Sequence, residues 1–339
     1  MKREIELQFQ AYISGPPVKQ KDLIKQATGG DEPTIETWFQ IWLDQMTANS
    51  KSFDFAAQSA MQEHGKQALN PVIVAGSGPS LKYNVEELAQ HRGDICLVSC
   101  LHNFGFFEDH GVHPDYYVHL DAGPITIEEV SQGGSKTAEE YWEATKNHTL
   151  VTAVVSHPEV LKRWKGKILF YNITIPNGDY IEKMKAITPF DLMFSVGGNT
   201  LGAALYFAKA ILGGNPITFI GADFAFGYDK KFHPFDSPYD QKYDGLVPVT
   251  DVFGNRVFTW PSYFGFKCWF DYICCGGAGN NPGLYINCTE GGTLGAYPEG
   301  NIRQILQMSL KEFLDAYRMH QEMPKILEKQ KSGMYQFLF

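Results

Sequence analysis

The sequence predicts an α/β protein, a Rossmann-like open parallel sheet with flanking helices, preceded by a helical N-terminal appendage. Three observations lead there. Short, unbroken apolar runs such as Val72-Ile73-Val74-Ala75 and Ile217-Thr218-Phe219-Ile220 have the pattern of parallel strands buried on both faces. From residue 71 onward these runs alternate with segments of helical spacing, the βαβ signature. Two small-residue turns, Gly76-Ser77-Gly78-Pro79-Ser80 and Gly197-Gly198-Asn199-Thr200, open into helices, where backbone amides and the helix dipole favour an anion.

Composition narrows the function classes. A chain of 339 residues with 44% hydrophobic content carries one large domain with appendages, or two domains. A net charge of −9 without a clustered Lys/Arg excess argues against a general nucleic-acid surface. No apolar run reaches the roughly 18 residues of a membrane span, and the start Met1-Lys2-Arg3-Glu4-Ile5-Glu6 lacks the apolar core of a signal peptide. A soluble cytoplasmic protein is expected. The six cysteines, with Cys274 and Cys275 adjacent, match neither a zinc knuckle nor a disulfide framework, so reduced and mostly buried thiols are expected. Aromatic residues make up 14% of the chain, enough for a thick core, an apolar ligand slot or a homo-oligomer interface.

Taken in order, residues 1–69 form the appendage. Ile35, Trp38, Phe39, Trp42 and Leu43 recur at helical spacing after a Thr34 cap, and a second helix is expected over about 53–68. A nucleotide-donor domain follows over 70–315, and 316–339 supply a C-terminal helix and an apolar tail. Within the domain, strands are expected at 72–75, 94–100, 116–121, 150–155, 167–171, 216–223 and 284–288. Residues 177–194 read as an excursion between strands and 224–251 as a lid. A hairpin turn lies near Gly254-Asn255, an aromatic helix follows over 261–275, and amphipathic helices are expected over about 301–318 and 323–331.

The chemistry-bearing residues sit at strand ends. Asp121 and Asp223 each end a buried strand, where ligands of open parallel sheets bind, and suit a metal, ribose or acid/base role; Asp121 could equally cap the next helix. His157 ends another strand with the same two readings, and His233 lies in the lid. The Gly76 turn lacks the third glycine of the dinucleotide fingerprint and the Gly-Lys-Ser/Thr of a P-loop, which disfavours NAD binding and P-loop NTPase chemistry.

Four landmarks in order carry a resemblance: Ala75 to Leu81, Pro114-Asp115 to Asp121, Gly197 to Asp223, and Asn287-Cys288-Thr289-Glu290-Gly291-Gly292. Over about residues 70–315 the chain resembles the core of bacterial motility-associated factors. That domain is similar to archaeal-type 6-hydroxymethylpterin pyrophosphokinases. The first motif is also similar to the Gly-x-Gly-Pro-Ser loop of bacterial sialyltransferases. The resemblance implies a transferase with a nucleotide-bound donor. Motility-associated factors attach nonulosonic acids to flagellin, which points to a CMP-activated sugar. The pterin enzymes transfer diphosphate from ATP with Mg²⁺, which is the alternative. A non-catalytic nucleotide-binding or assembly protein is a third reading.

On that resemblance Gly76, Ser77, Gly78, Pro79 and Ser80 hold the donor phosphate, and Gly197, Gly198, Asn199 and Thr200 the nucleoside or donor carboxylate. Asp121 or Asp223 meets a ribose or catalytic hydroxyl, or Mg²⁺ if ATP is the donor. His157 and His233 supply acid/base groups, and Thr289 and Glu290 close the pocket. The chain has Asp223-Phe224 where Asp-Leu is common and Cys288 where a small residue is usual. It also lacks the extensive flanking domains of the larger factors, which leaves the acceptor open.

Overall fold

A computed structural model describes residues 31–276 and 283–321. Nine strands form one parallel sheet: β1 (Val72–Ala75), β2 (Cys96–Cys100), β3 (Tyr116–His119), β4 (Thr149–Ala153), β5 (Lys167–Ile173), β6 (Met193–Phe194), β7 (Ile217–Ile220), β10 (Tyr285–Asn287) and β11 (Ile305–Gln307). The order across the sheet is β11-β10-β7-β1-β2-β3-β4-β5-β6. Helices cover both faces, so β1, β2 and β7 are buried along their whole length, as their unbroken apolar runs require. Two further strands, β8 (Val247–Thr250) and β9 (Arg256–Thr259), pair antiparallel as the expected hairpin. The helix Pro261–Cys274 follows directly.

One hydrophobic core runs from Leu43, Met46 and Phe55 through the sheet to Leu310, Phe313 and Leu314. The N-terminal helix Asp31–Asn49 belongs to it. Asn49 Nδ2 donates to the carbonyls of Val154 and Ser156 at 2.9 Å each, and Phe39 and Trp42 meet Tyr180 edge-on with centroids 5.8 Å apart. Four of the six cysteines, Cys96, Cys100, Cys274 and Cys288, are buried and all six are free thiols. Among the described residues no helix is long and apolar enough to cross a membrane.

Three expected elements differ. Residues 53–68 form turns with one short 3₁₀ segment, Ala60–Glu63, in place of a helix. Asp54 Oδ1 accepts from Ala57 N, Ser59 Oγ accepts from Met61 N, and Phe53 and Phe55 both pack on Phe170, so local side-chain bonds and alternate-residue packing override helical propensity. The excursion at 177–194 is a helix, Gly178–Ile187, capped by Asn177 Oδ1 on Tyr180 N, followed by edge strand β6. Part of 301–318 is strand β11, paired in register with β10 (Tyr285 opposite Ile305), and a helix over 310–321 begins only at a Ser309/Glu312 capping box. The expected helix at 323–331 and the apolar tail lie outside the described residues.

Candidate functional site

The strand order reverses at β1. Strands β2 to β6 are added on one side of it, and β7, β10 and β11 on the other. The carboxyl edge of the sheet at such a switch point is the general ligand position in doubly wound sheets. A cleft of about 290 Å³ lies there.

The Gly76-Ser77-Gly78 turn and Gly221-Ala222-Asp223 both line this cleft. The two are clamped together. Gly76 N donates to Ile220 O and Gly78 N to Gly221 O, both at 2.9 Å. Ser80 gives Asp223 Oδ2 two bonds, from Oγ at 2.8 Å and from its amide at 3.3 Å. The expected phosphate cradle is thus partly committed to the protein itself: three of its amides and the Ser80 hydroxyl hold the β7 exit, and neither Pro79 nor Ser80 lines the cleft. Asn103 holds the other side of the turn, donating from Nδ2 to Gly76 O at 3.0 Å.

The glycines are needed for this closeness. A Cβ on Gly78 would lie 2.7 Å from Gly221 O and 2.8 Å from Asp223 Cγ. Gly221 (φ +58°) and Phe224 (φ +50°) both adopt left-handed backbone around Ala222-Asp223. For Phe224 that conformation is strained, and such strain clusters at functional sites. Asp223 is 5% exposed, and burial drives its carboxyl up to about 7 against the lowering pull of the Ser80 bonds.

Gly198, Asn199 and Thr200 line the cleft from the start of the helix Thr200–Tyr206, which continues as a π-helical turn, Phe207–Ile211. Asn199 is its cap, accepting from Gly202 N at 2.9 Å and donating to Gly197 O at 3.1 Å. Gly197 packs against Trp269, away from the cleft.

The structure adds groups that strand-end reasoning passed over. Beside Asp121 stand His119, at the end of β3, and Glu129, on the short helix Thr126–Glu129. Asp121 opens onto the cleft, yet the surrounding walls desolvate its carboxyl and raise its pKa. Glu129 is pushed up to about 8 by desolvation and then by the Asp121 charge. His119 is 1% exposed; it bonds the Asp121 backbone, its Nε2 has no partner among the described residues, and burial pulls its pKa down to about 4.

His233 Nδ1 lies 2.9 Å from Ser77 O. A carbonyl only accepts, so that nitrogen carries the proton and Nε2 is an acceptor. Burial lowers the pKa of His233, whose ring stacks on Phe235 and lies 4.5 Å from His102. His102, Tyr239 and Tyr263 complete the wall.

Besides Pro79, Ser80 and Gly197, three further expected site residues are not brought to the cleft. His157 caps the helix Pro158–Arg163, Nδ1 accepting from Glu159 N at 3.2 Å. Thr289 Oγ1 accepts from Ala222 N at 3.2 Å and braces the β7 exit. Glu290 Oε1 accepts from Asn84 Nδ2 at 3.1 Å and Leu310 N at 3.0 Å, tying two helices to the sheet. All three stand at strand ends as the sequence suggested, but their side chains are engaged in packing and caps.

Three carboxylates and no Lys or Arg, among the described residues, line the cleft. Its charge can be tested through stability. Glu129 binds its proton more tightly folded than unfolded, so its stabilising contribution is complete below about pH 4.5 and is lost as pH rises toward about 8. In EDTA, Glu129→Gln is expected to match the wild type at pH 4.5 and to exceed it in urea midpoint at pH 8.5; equal midpoints at both pH values would remove the desolvated-carboxyl reading.

No curated protein matches the chain in sequence. Among solved structures it resembles the Maf glycosyltransferase from Magnetospirillum magneticum AMB-1, with a TM-score of 0.54 at 17% identity over 79% of this chain. The chain spans 38% of that protein, and the likeness is one of fold. The family model described as 6-hydroxymethylpterin diphosphokinase MptE-like matches residues 44–229, from the N-terminal helix through the β7 exit and more than half of the chain; the protein belongs to the MptE-like family.

Proposed function

We propose that this protein transfers a group from a nucleotide-bound donor seated in the β1/β7 cleft, and that the group is a nonulosonic-type sugar activated as CMP. The observation that carries this reading is convergence. Gly76–Gly78, Asp121, Gly198–Thr200 and Asp223, four separated stretches, line one cleft at the switch point. Membership of the MptE-like family and a fold shared with a glycosyltransferase support it.

In the transfer, the acceptor hydroxyl oxygen attacks the anomeric carbon, the bond to CMP breaks, and CMP leaves with the electron pair. The hydroxyl proton passes to Asp223. A base works best with a pKa near the operating pH, and burial has brought Asp223 there. His233, with Nε2 as acceptor, is the second acid/base group.

A specific observation favours the second reading, Mg²⁺-dependent diphosphate transfer from ATP. Asp121, Glu129 and Asp223 are hard oxygen donors and no Lys or Arg lines the cleft among the described residues, so the donor set fits Mg²⁺. Their ligand atoms do not gather at one point among the described residues, so Asp121 or Asp223 would hold the ion together with the nucleotide phosphates, and when bound it would neutralise phosphate charge.

Thermal shift separates the readings, since a ligand at about 100 times its Kd stabilises the native state by about 2.7 kcal/mol. A rise in Tm with CMP in EDTA supports the sugar donor. A rise only with ATP and Mg²⁺ supports diphosphate transfer. No shift with either at millimolar concentration overturns both.

A further inference from the structure

We propose that Glu108, His113 and His148 form a binding site for a borderline divalent cation, Zn²⁺ or its close analogue Co²⁺, at the amino-terminal edge of the sheet. The site is independent of the cleft. β2, β3 and β4 are neighbours, and the helix Phe104–Asp109 brings the chain from the carboxyl end of β2 back toward the start of β3. His113 lies in the turn just before β3, and His148 immediately precedes β4. The three residues therefore meet at the edge opposite the one that carries the cleft.

Their donor atoms converge on one point. His113 Nδ1 lies 3.1 Å from Glu108 Oε1 and His148 Nε2 lies 3.0 Å from the same oxygen. All three ligand atoms fall within 4.8 Å of one another. Ligands held tetrahedrally at about 2.0–2.1 Å from Zn²⁺ are separated by roughly 3.3 Å, so a small opening of the cluster admits the ion.

Two of the donors are pre-positioned. The side chains of His148 and Glu108 are 6% and 10% exposed, and the His148 ring is wedged edge-on against Phe104 and Tyr117 at 5.3 and 5.4 Å. The His113 side chain is 61% exposed, which supplies an entry route and room for a water as fourth ligand. Two imidazoles and one carboxylate suit Zn²⁺ and Co²⁺, whereas Mg²⁺ prefers an all-oxygen shell. This separates the site from any ion held by the cleft carboxylates. A bound ion would pin the connections entering β3 and β4.

The test is calorimetric titration of the full chain, stripped with EDTA and dialysed, with ZnCl₂, together with the visible spectrum on adding CoCl₂. We expect one ion per chain, an intense Co²⁺ d–d band of low coordination number, and no competition from millimolar Mg²⁺. His113→Asn removes an exposed ligand, so folding should be unaffected, and Zn²⁺ affinity should fall at least tenfold. Cys275→Ser, which removes an exposed thiol able to bind metal adventitiously, should leave affinity unchanged. Wild-type affinity in His113→Asn, or loss of binding in Cys275→Ser, would overturn the proposal and leave the cluster as a His–Glu–His hydrogen-bonded set.

Discussion

Asp223→Asn is expected to lower kcat/KM for group transfer by about 10²- to 10⁴-fold, the range for loss of a general acid–base group. The substitution keeps the shape of the side chain, and an amide can still meet the Ser80 hydroxyl that now donates to Oδ2. Donor affinity should consequently change only a few-fold, because the change acts on the proton-accepting group. The pH profile supplies the second readout. With the carboxyl up at about 7, the wild-type rate should climb through neutrality as Asp223 loses its proton and level off above it. The variant should lack that limb. Nucleotide release followed between pH 5.5 and 8.5 decides the matter, and a variant within fivefold of wild type across that range would remove Asp223 from the reaction.

Gly76→Ala should have the largest effect on stability. A Cβ at this position would overlap Gly221 O and lie 3.1 Å from Gly221 C and 3.3 Å from Leu201 Cδ2. The closest atoms are backbone, so no rotamer change relieves the overlap. The β1 turn and the β7 exit would have to separate, weakening the paired bonds Gly76 N to Ile220 O and Gly78 N to Gly221 O. Overpacking typically costs about 1–3 kcal/mol. Each lost hydrogen bond adds about 1 kcal/mol. We therefore expect a loss of about 3 kcal/mol or more in urea denaturation, with nucleotide binding lost as well. Gly178→Ala is the control: a Cβ there meets nothing within 4 Å, and its effect should stay within about 0.5 kcal/mol. Equal effects at the two glycines would contradict the close approach.

Both predictions concern one junction, and its parts were unequally visible in the chain. The apolar runs at 72–75 and 217–220, the glycine turn between strand and helix, and the acidic residue after β7 follow from residue type and spacing alone. The Ser309/Glu312 capping box was a readable signal that a helix begins near 310, although the helical spacing upstream of it suggested an earlier start. Whether 305–307 is strand or helix depends on pairing with β10, and non-local pairing outweighs local propensity.

The sequence by itself determined the fold class, the two glycine turns and the acidic strand ends, because burial on both faces of a parallel sheet and tight strand-to-helix turns leave few residue choices. Only the tertiary structure decided which strand ends face one another. Reversal of strand order at β1 joins Asp223 to the Gly76 turn across 143 positions, and the path of the chain after β3 sets Glu129 and His119 beside Asp121. The same packing turns Glu290 and His157 into caps and braces. A carboxylate or imidazole at a strand end has the same local sequence whether it faces a ligand or closes a helix. What distinguishes the two is the partner that long-range folding brings within hydrogen-bond reach.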